Sequence, residues 1–543
     1  MNINNTLGAA LRAYNVGEYE QASGLLHEVL VADAFNQPAL WGLVHVCDAL
    51  AKADDAIGFL RQLLRLLPDS LAVLDALLQR CQTPIHLDIV VLSFENFLLR
   101  NPRSTTGHYN YAYVLSRAGQ HALAVTAYQK AIELGAERPE EIELNIATVF
   151  AERLRDDLSA EEHLRQAINL NANYVPAYFN LGCLAEQQGD RGRAQAQFAH
   201  CLTLDPTYLP ALVRLADAQH FSDAQAPVLV ELRQQSLASH DPDLHFALGR
   251  ALEQCGDFSA ALSHFDIANA ADQAVYLPYE SAVVAAQFDA IKAQFDVRWH
   301  RQHHRVDDVV PVFICGMFRS GSTLVEQILA AHSAFTPAGE REFFARLVAA
   351  ELPDYPTGGE LITSAHLQQW AAGYQLESER VFGRDTRLTD KRPDNFLYLG
   401  LIKAMFPAAK IIVTRRAWQD IAWSIYATRF GPGQRYATDL GAVGHYIGLQ
   451  ADLIAHWQKL FGDDMCFVDY ELLVTSPQAV ITHLLEFLGE PWEDNCLRFN
   501  ALNNTVRTES VWQVRQPLYT SSVGRSKPFV ALRPTAFTDG QSG

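Results

Sequence analysis

The sequence predicts an all-helical repeat array followed by an α/β domain on a central parallel sheet, and three observations predict it. A pattern of small, turn-forming and aromatic residues returns in phase through the first half of the 543 residues. From about residue 276 that pattern stops, and short β-branched runs alternate with helical stretches. The first of those runs ends in a glycine-bearing loop that opens a helix, the geometry of a phosphate cradle. The expected boundaries are a repeat region over 1–275, a helical connector over 276–308 and the α/β domain over 309–543.

In the repeats, Ala112, Gly119, Ala124, Tyr128 and Ala131 align with Gly182, Gly189, Ala194, Phe198 and Cys201, and again with Gly249, Gly256, Ala261, Phe265 and Ala268. Small residues at the first, third and last places let two helices approach, the middle glycine turns the chain, and the aromatic fills the wedge. The unit is a helix-turn-helix of about 34 residues. Weaker copies stand at Ala10, Gly17, Ala22 and Leu26, from Trp41 to Pro68, and at Ala147, Ala160, Leu164 and Ala167, which makes six or seven units. A generic helical bundle does not keep such a phase. The pattern resembles tetratricopeptide repeats, and the resemblance implies a superhelix whose concave groove takes a protein or peptide.

The connector reads as a helix from Ala285 to Trp299 closing in the basic run HRQHHR, residues 300–305. Buried strands are expected at Val309 to Gly316, Leu388 to Lys391, Lys410 to Thr414 and Met465 to Val468. After the first comes Gly316-Met317-Phe318-Arg319-Ser320-Gly321-Ser322-Thr323-Leu324, then an amphipathic helix. Both glycines match the nucleotide-triphosphatase loop, but Ser322 stands where that loop has lysine and Arg319 is the only loop cation. The KIIVT strand ends in Arg415-Arg416 where a triphosphatase needs an aspartate for magnesium. The loop therefore suits a phosphate approached by arginine and hydroxyls without an obligatory metal, which disfavours a P-loop kinase.

Composition narrows the class further. With 43 Lys and Arg against 62 Asp and Glu, the net charge of −19 repels polyphosphate, so nucleic acid is not an expected partner, while one local basic pocket remains compatible with a small anion. Eight scattered cysteines form no metal-binding spacing and read as reduced core thiols; no metal is expected. The N-terminal residues lack a signal-peptide pattern, and no apolar run reaches about 18 residues, so no membrane contact and a cytoplasmic location are expected.

FRSGSTL resembles the P-R-S-G-T-T-L loop of sulfotransferases that bind 3'-phosphoadenosine 5'-phosphosulfate (PAPS), with Phe318 in the proline place. Arg415-Arg416-Ala417-Trp418-Gln419-Asp420 through Ser424 and Tyr426 resembles the family's R-R-D-P-x-D-x-x-x-S-x-Y, in which an arginine and a serine eight residues on grip the 3'-phosphate. Arg416 and Ser424 keep that spacing. Gly339-Glu340-Arg341-Glu342 resembles the G-E segment of the tyrosylprotein branch, whose glutamate is a general base, and Thr389-Asp390-Lys391-Arg392-Pro393 its N-K-D-P, whose lysine contacts the sulfuryl group. Tyr470, in Asp469-Tyr470-Glu471-Leu472, resembles Y-E-x-L, and Ser510-x-x-Gln513 with Ser521 to Arg525 resembles the closing segment that wraps the nucleotide.

The resemblance covers about residues 305 to 530. It implies a P-loop-like sulfotransferase domain without a metal, with Arg319, Lys391 and the base Glu340 as catalytic residues. Its donor contacts would be Arg319, Ser320, Gly321, Ser322, Thr323, Arg416, Ser424, Tyr470, Ser510 and Arg525. Glu342 is an alternative base, and an ion pair with Asp390 or Asp394 an alternative role for Lys391. His332, nine residues beyond Thr323 and roughly 13 Å along the helix, is too far from the loop and reads as a packing residue. Acceptors compatible with the machinery are a peptide tyrosine presented by the repeats, a glycan or a small hydroxyl compound. The competing class is an inactive nucleotide-binding scaffold, favoured by Phe318, Ala417 and Trp418 and opposed by Glu340 and Lys391.

Overall fold

A computed structural model of the chain describes residues 2–81, 84–303, 310–384, 386–502, 504–508 and 510–537. The chain forms two compact units, Met1–Ala177 and Tyr178–Gly543. The first is a succession of helix pairs, from Ile3–Asn15 with Tyr19–Ala32 to Pro139–Thr148 with Asp157–Leu170. Its turn glycines do what the pattern requires: Gly17 and Gly119 have φ of +82° and +77°, a region that side chains with a Cβ avoid. Ala112, Ala124, Tyr128 and Ala131 are buried together in one core.

The second unit opens with the remaining helix pairs. A Cβ on Gly182 would stand 2.5 Å from the Phe198 ring, and one on Gly249 would stand 2.7 Å from Phe265, so the aromatic wedge needs glycine opposite it. Up to residue 275 the described residues hold eight helix pairs, more than the six or seven legible in the sequence. The pairs Leu71–Arg80 with Pro84–Arg100, and Leu209–Asp217 with Pro227–Ser236, are not among the copies legible in the sequence.

The packing boundary thus falls inside the repeat region. Phe265, from the helix Phe258–Val275, meets Trp423 edge-on at 5.4 Å. Asn269 donates to the Tyr426 carbonyl at 2.9 Å, and buried Asp272 receives Arg429 at 2.9 Å. The connector is two helices, Ser281–Gln294 and Val297–Gln302, because Asp296 caps the second by accepting the Trp299 N–H at 2.7 Å. His304, Arg305 and Val309 lie outside the described residues.

The sheet has five parallel strands, β1 (Val312–Gly316), β2 (Phe335–Gly339), β3 (Arg387–Lys391), β4 (Lys410–Arg415) and β5 (Met465–Asp469), in the order β2-β3-β1-β4-β5. β2 was not expected, since its sequence FTPAG carries Pro337 and Gly339 and has no apolar run. Alternation divides β1 and β4 between two cores. Phe313, Cys315, Ile411 and Val413 face one, and Val312, Ile314 and Ile412 face the other. None of the eight cysteines forms a disulfide. Among the described residues no helix is long and apolar enough to cross a membrane.

Candidate active site

The carboxyl ends of the parallel strands carry the predicted residues. β1 delivers Gly316 into the loop, and the helix Ser322–Ala330 follows it. Gly316, at φ +148°, lies against β4, where a Cβ would meet Thr414 Oγ1 at 2.5 Å. Gly321, at φ +102°, caps the helix, and a Cβ there would meet the Tyr470 ring at 2.9 Å. Ser322 and Thr323 open the helix at its positive end, with Thr323 Oγ1 3.5 Å from Thr508 Oγ1. Ser320, one of the expected donor contacts, has its hydroxyl engaged within the protein. It is buried, donates to the Met317 carbonyl at 2.6 Å and lies 2.6 Å from Thr414 Oγ1, so it braces the loop on β4.

Arg319 is a non-glycine residue at φ +69°. Such a backbone costs on the order of 1 kcal/mol and persists only where its surroundings enforce it. Here its carbonyl accepts from Arg416 Nη1 at 3.1 Å. Its guanidinium donates to Ser424 Oγ at 3.0 Å, Ser510 Oγ at 2.8 Å and Gln513 Oε1 at 3.1 Å. Arg416 and Ser424, expected as one grip, therefore meet through Arg319. Arg416 also donates to the Ser522 carbonyl at 2.6 Å and lies 4.7 Å above the Tyr470 ring, while its buried Nε has no hydrogen-bond partner among the described residues. Burial lowers its pKa, and the nearby Arg525 charge acts in the same direction. Arg415 is exposed over Phe467.

At the ends of β2 and β3 the second cluster forms. Lys391 is 0% exposed and donates to Glu340 Oε1 at 2.6 Å, whereas Glu340 is 37% exposed. Of this pair, Glu340 is the member open to solvent. Neither aspartate takes the place of Glu340: Asp394 pairs with Arg392, and Asp390 accepts from Tyr374 and Asn395. Glu342 lies outside this contact, exposed at the head of the helix Phe343–Glu351. His332 is a packing residue, with Nε2 donating to the Pro491 carbonyl at 2.8 Å and Nδ1 accepting from the Ala334 N–H at 3.1 Å.

Sequence reasoning missed Glu326, concealed in a helix whose pattern looks merely amphipathic. It is buried and accepts the Gly339 N–H at 2.9 Å, fixing the turn that carries Glu340. Burial pushes its carboxyl up to about 7, against the pull of Lys391. Burial likewise pushes Asp390 up to about 6, opposed chiefly by Arg341. A carboxyl raised in the folded state binds more protons there than when unfolded, so its contribution to stability falls as pH rises from about 4.5 to 7 and then levels off. Glu326→Gln should remove part of that fall. Its melting temperature, compared with wild type at pH 5 and pH 8, should gain more at pH 8; an equal change at both would contradict the assignment.

The departures from the expected motifs are apolar packing. Phe318 meets Phe430 edge-on at 5.4 Å, and Trp418 lies 6.1 Å from Phe537. Among the described residues, no group of three or more His, Cys, Asp or Glu is placed to hold a metal.

Residues 311–494 match the sulfotransferase family, and residues 106–135 and 175–208 match the tetratricopeptide repeat. An uncharacterized protein of Aquifex aeolicus (strain VF5) is 38% identical over 227 residues, 39% of this chain and 30% of the relative. Protein-tyrosine sulfotransferase 1 of Danio rerio is 25% identical over 213 residues, 36% of this chain and 57% of the relative. The chain therefore spans between 30% and 57% of the length of these curated relatives. Of solved structures, the sulfotransferase domain of the Synechococcus olefin synthase aligns at 21% identity and a TM-score of 0.33, covering 42% of this chain and 91% of its own. A tetratricopeptide repeat protein of Parabacteroides merdae aligns at 13% identity and a TM-score of 0.30, covering 49% and 92%.

Proposed function

We propose that this chain, which joins tetratricopeptide repeats to a domain of the sulfotransferase family, transfers a sulfuryl group from PAPS to a hydroxyl acceptor. The observation that carries the reading is the Arg319 knot, which ties the phosphate loop, Ser424 and Ser510 together, with Arg416 donating to the Arg319 carbonyl. The 5'-phosphosulfate suits the loop, its N–H groups and the start of the helix, and the 3'-phosphate suits Arg416 with the closing segment.

In the reaction the acceptor oxygen attacks sulfur in line, its proton passes to Glu340, and the bond from sulfur to the phosphate oxygen breaks. Adenosine 3',5'-bisphosphate leaves with the electron pair. Lys391, held by Glu340, and Arg319 oppose the charge that develops on the sulfuryl and bridging oxygens. Glu340 is the proposed base rather than Glu342 because it is the carboxylate on Lys391. The apolar packing of Phe318 and Trp418 keeps these departures consistent with an active enzyme and weighs against the inactive scaffold. The likeness to a protein-tyrosine sulfotransferase, together with the repeats, favours a peptide tyrosine as acceptor. The acidic surface and unbridged cysteines suit a cytoplasmic setting.

Calorimetry should record binding of adenosine 3',5'-bisphosphate that is unchanged by EDTA. Absence of heat, or a requirement for magnesium, would reject the donor assignment. Mass spectrometry of peptides and metabolites incubated with enzyme and PAPS should then find products gaining one sulfuryl group. Products confined to small metabolites would overturn the peptide acceptor.

A further inference from the structure

The segment that closes the site is fastened to the repeats at several points. The Val506 N–H donates to the Gln187 carbonyl at 2.9 Å, Arg191 stacks on Trp512 at 4.9 Å, and Arg533 pairs with Asp266. One fastening falls on a predicted donor contact. Arg525 donates through Nε and Nη2 to the two carboxylate oxygens of Glu253, at 2.6 and 2.7 Å. Glu253 lies in the last turn of Pro242–Gln254, the first helix of the last repeat pair. Its side chain is 10% exposed and that of Arg525 is 29%, so the pair is largely shielded from water.

Arg416 donates to the Ser522 carbonyl at 2.6 Å, three residues before Arg525 on the same segment, and the Arg525 charge acts to lower the pKa of Arg416. Two guanidiniums repel, and more strongly as water is excluded. Burial alone would lower the pKa of Arg525, but Glu253, by charge and hydrogen bonds, outweighs it and leaves it raised, with smaller help from Tyr519 and Asp420. Asp420 is engaged elsewhere: it accepts the Gly524 N–H at 2.6 Å, and the Ser526 N–H and hydroxyl at 2.9 and 2.7 Å. Asp420 therefore fixes the backbone on either side of Arg525, and Glu253 fixes its head group. The pair uses Nε and Nη2, so Nη1 is not part of it.

We infer that Glu253 is a positioning residue of the donor site, holding Arg525 beside Arg416 so that the two guanidiniums together receive the nucleotide's 3'-phosphate. The inference rests on the PAPS reading proposed above, and it makes the last repeat a part of donor binding rather than only a platform for an acceptor. Positioning of this kind predicts a selective effect, because it concerns one phosphate of the ligand.

The test is calorimetry of the full chain with two ligands, adenosine 3',5'-bisphosphate and adenosine 5'-phosphosulfate, which lacks the 3'-phosphate. Glu253→Ala should weaken the bisphosphate about tenfold or more and the phosphosulfate less than about twofold, with Glu253→Asp recovering most of the loss. If the alanine variant does not fold, the near-isosteric Glu253→Gln is expected to show the same selectivity. Unchanged or tighter bisphosphate binding, or equal loss for both ligands, would overturn the inference while leaving the donor reading intact. No binding of bisphosphate to the wild type would reject the donor reading, and the inference with it.

Discussion

Glu340→Gln is expected to lower kcat by about 10²–10⁴-fold, the usual contribution of a positioned base, while adenosine 3',5'-bisphosphate binds within about twofold of wild type. The amide keeps the shape of the carboxylate and its acceptor oxygen toward Lys391, so the buried ammonium retains a partner. What disappears is the site that takes the acceptor proton. Glu340→Ala should be worse for the fold, because it strips an ion-pair partner at 2.6 Å from a lysine that is 0% exposed. Steady-state kinetics and calorimetry on the glutamine variant separate the two effects. Turnover within about threefold of wild type would move the base to another residue, with Glu342 next in order.

Arg319→Lys should weaken adenosine 3',5'-bisphosphate by about 10²-fold, despite conserving charge. Arg319 makes three directed side-chain bonds, to Ser424, Ser510 and Gln513, from one planar fork. An ammonium on a flexible stem does not reproduce that geometry. Lysine also leaves Ser510 and Gln513 without the guanidinium fork that draws the closing segment onto the loop, so the loss should include both a phosphate contact and the order of the segment. Calorimetry measures it directly, and affinity within about twofold of wild type would mean that charge alone matters at this position.

How much of this was legible in the sequence depended on the range of the interaction concerned. The loop from Gly316 to Thr323 could be read because its glycines, serines and arginine fall within one short stretch, and Gly316 and Gly321 stand where a Cβ would clash. Lys391 and Glu340 were readable as motif members, but their direct contact was not, since parallel pairing of β2 with β3 places them together. That the Ser320 hydroxyl meets Thr414 was not legible, because a hydroxyl facing β4 cannot be told from one facing a ligand without the neighbouring strand. Glu326 sat in an apolar helix as one polar letter. Glu253 and Arg525, 272 residues apart, left no local signal of their pairing. The repeat count fell short at the pairs opened by Leu71–Arg80 and Leu209–Asp217.

The shared core has a consequence for modularity. Leu248, Leu252, Ala261 and Phe265 of the last repeat pair belong to one apolar cluster with Met317, Trp423, Val443 and Phe529. Severing the chain at residue 276, where the sequence grammar changes, would uncover that cluster and leave Arg429 and Arg525 without Asp272 and Glu253. The inheritable piece, the stretch that recombination has to carry whole, therefore begins near Tyr178, about three helix pairs upstream of the first strand.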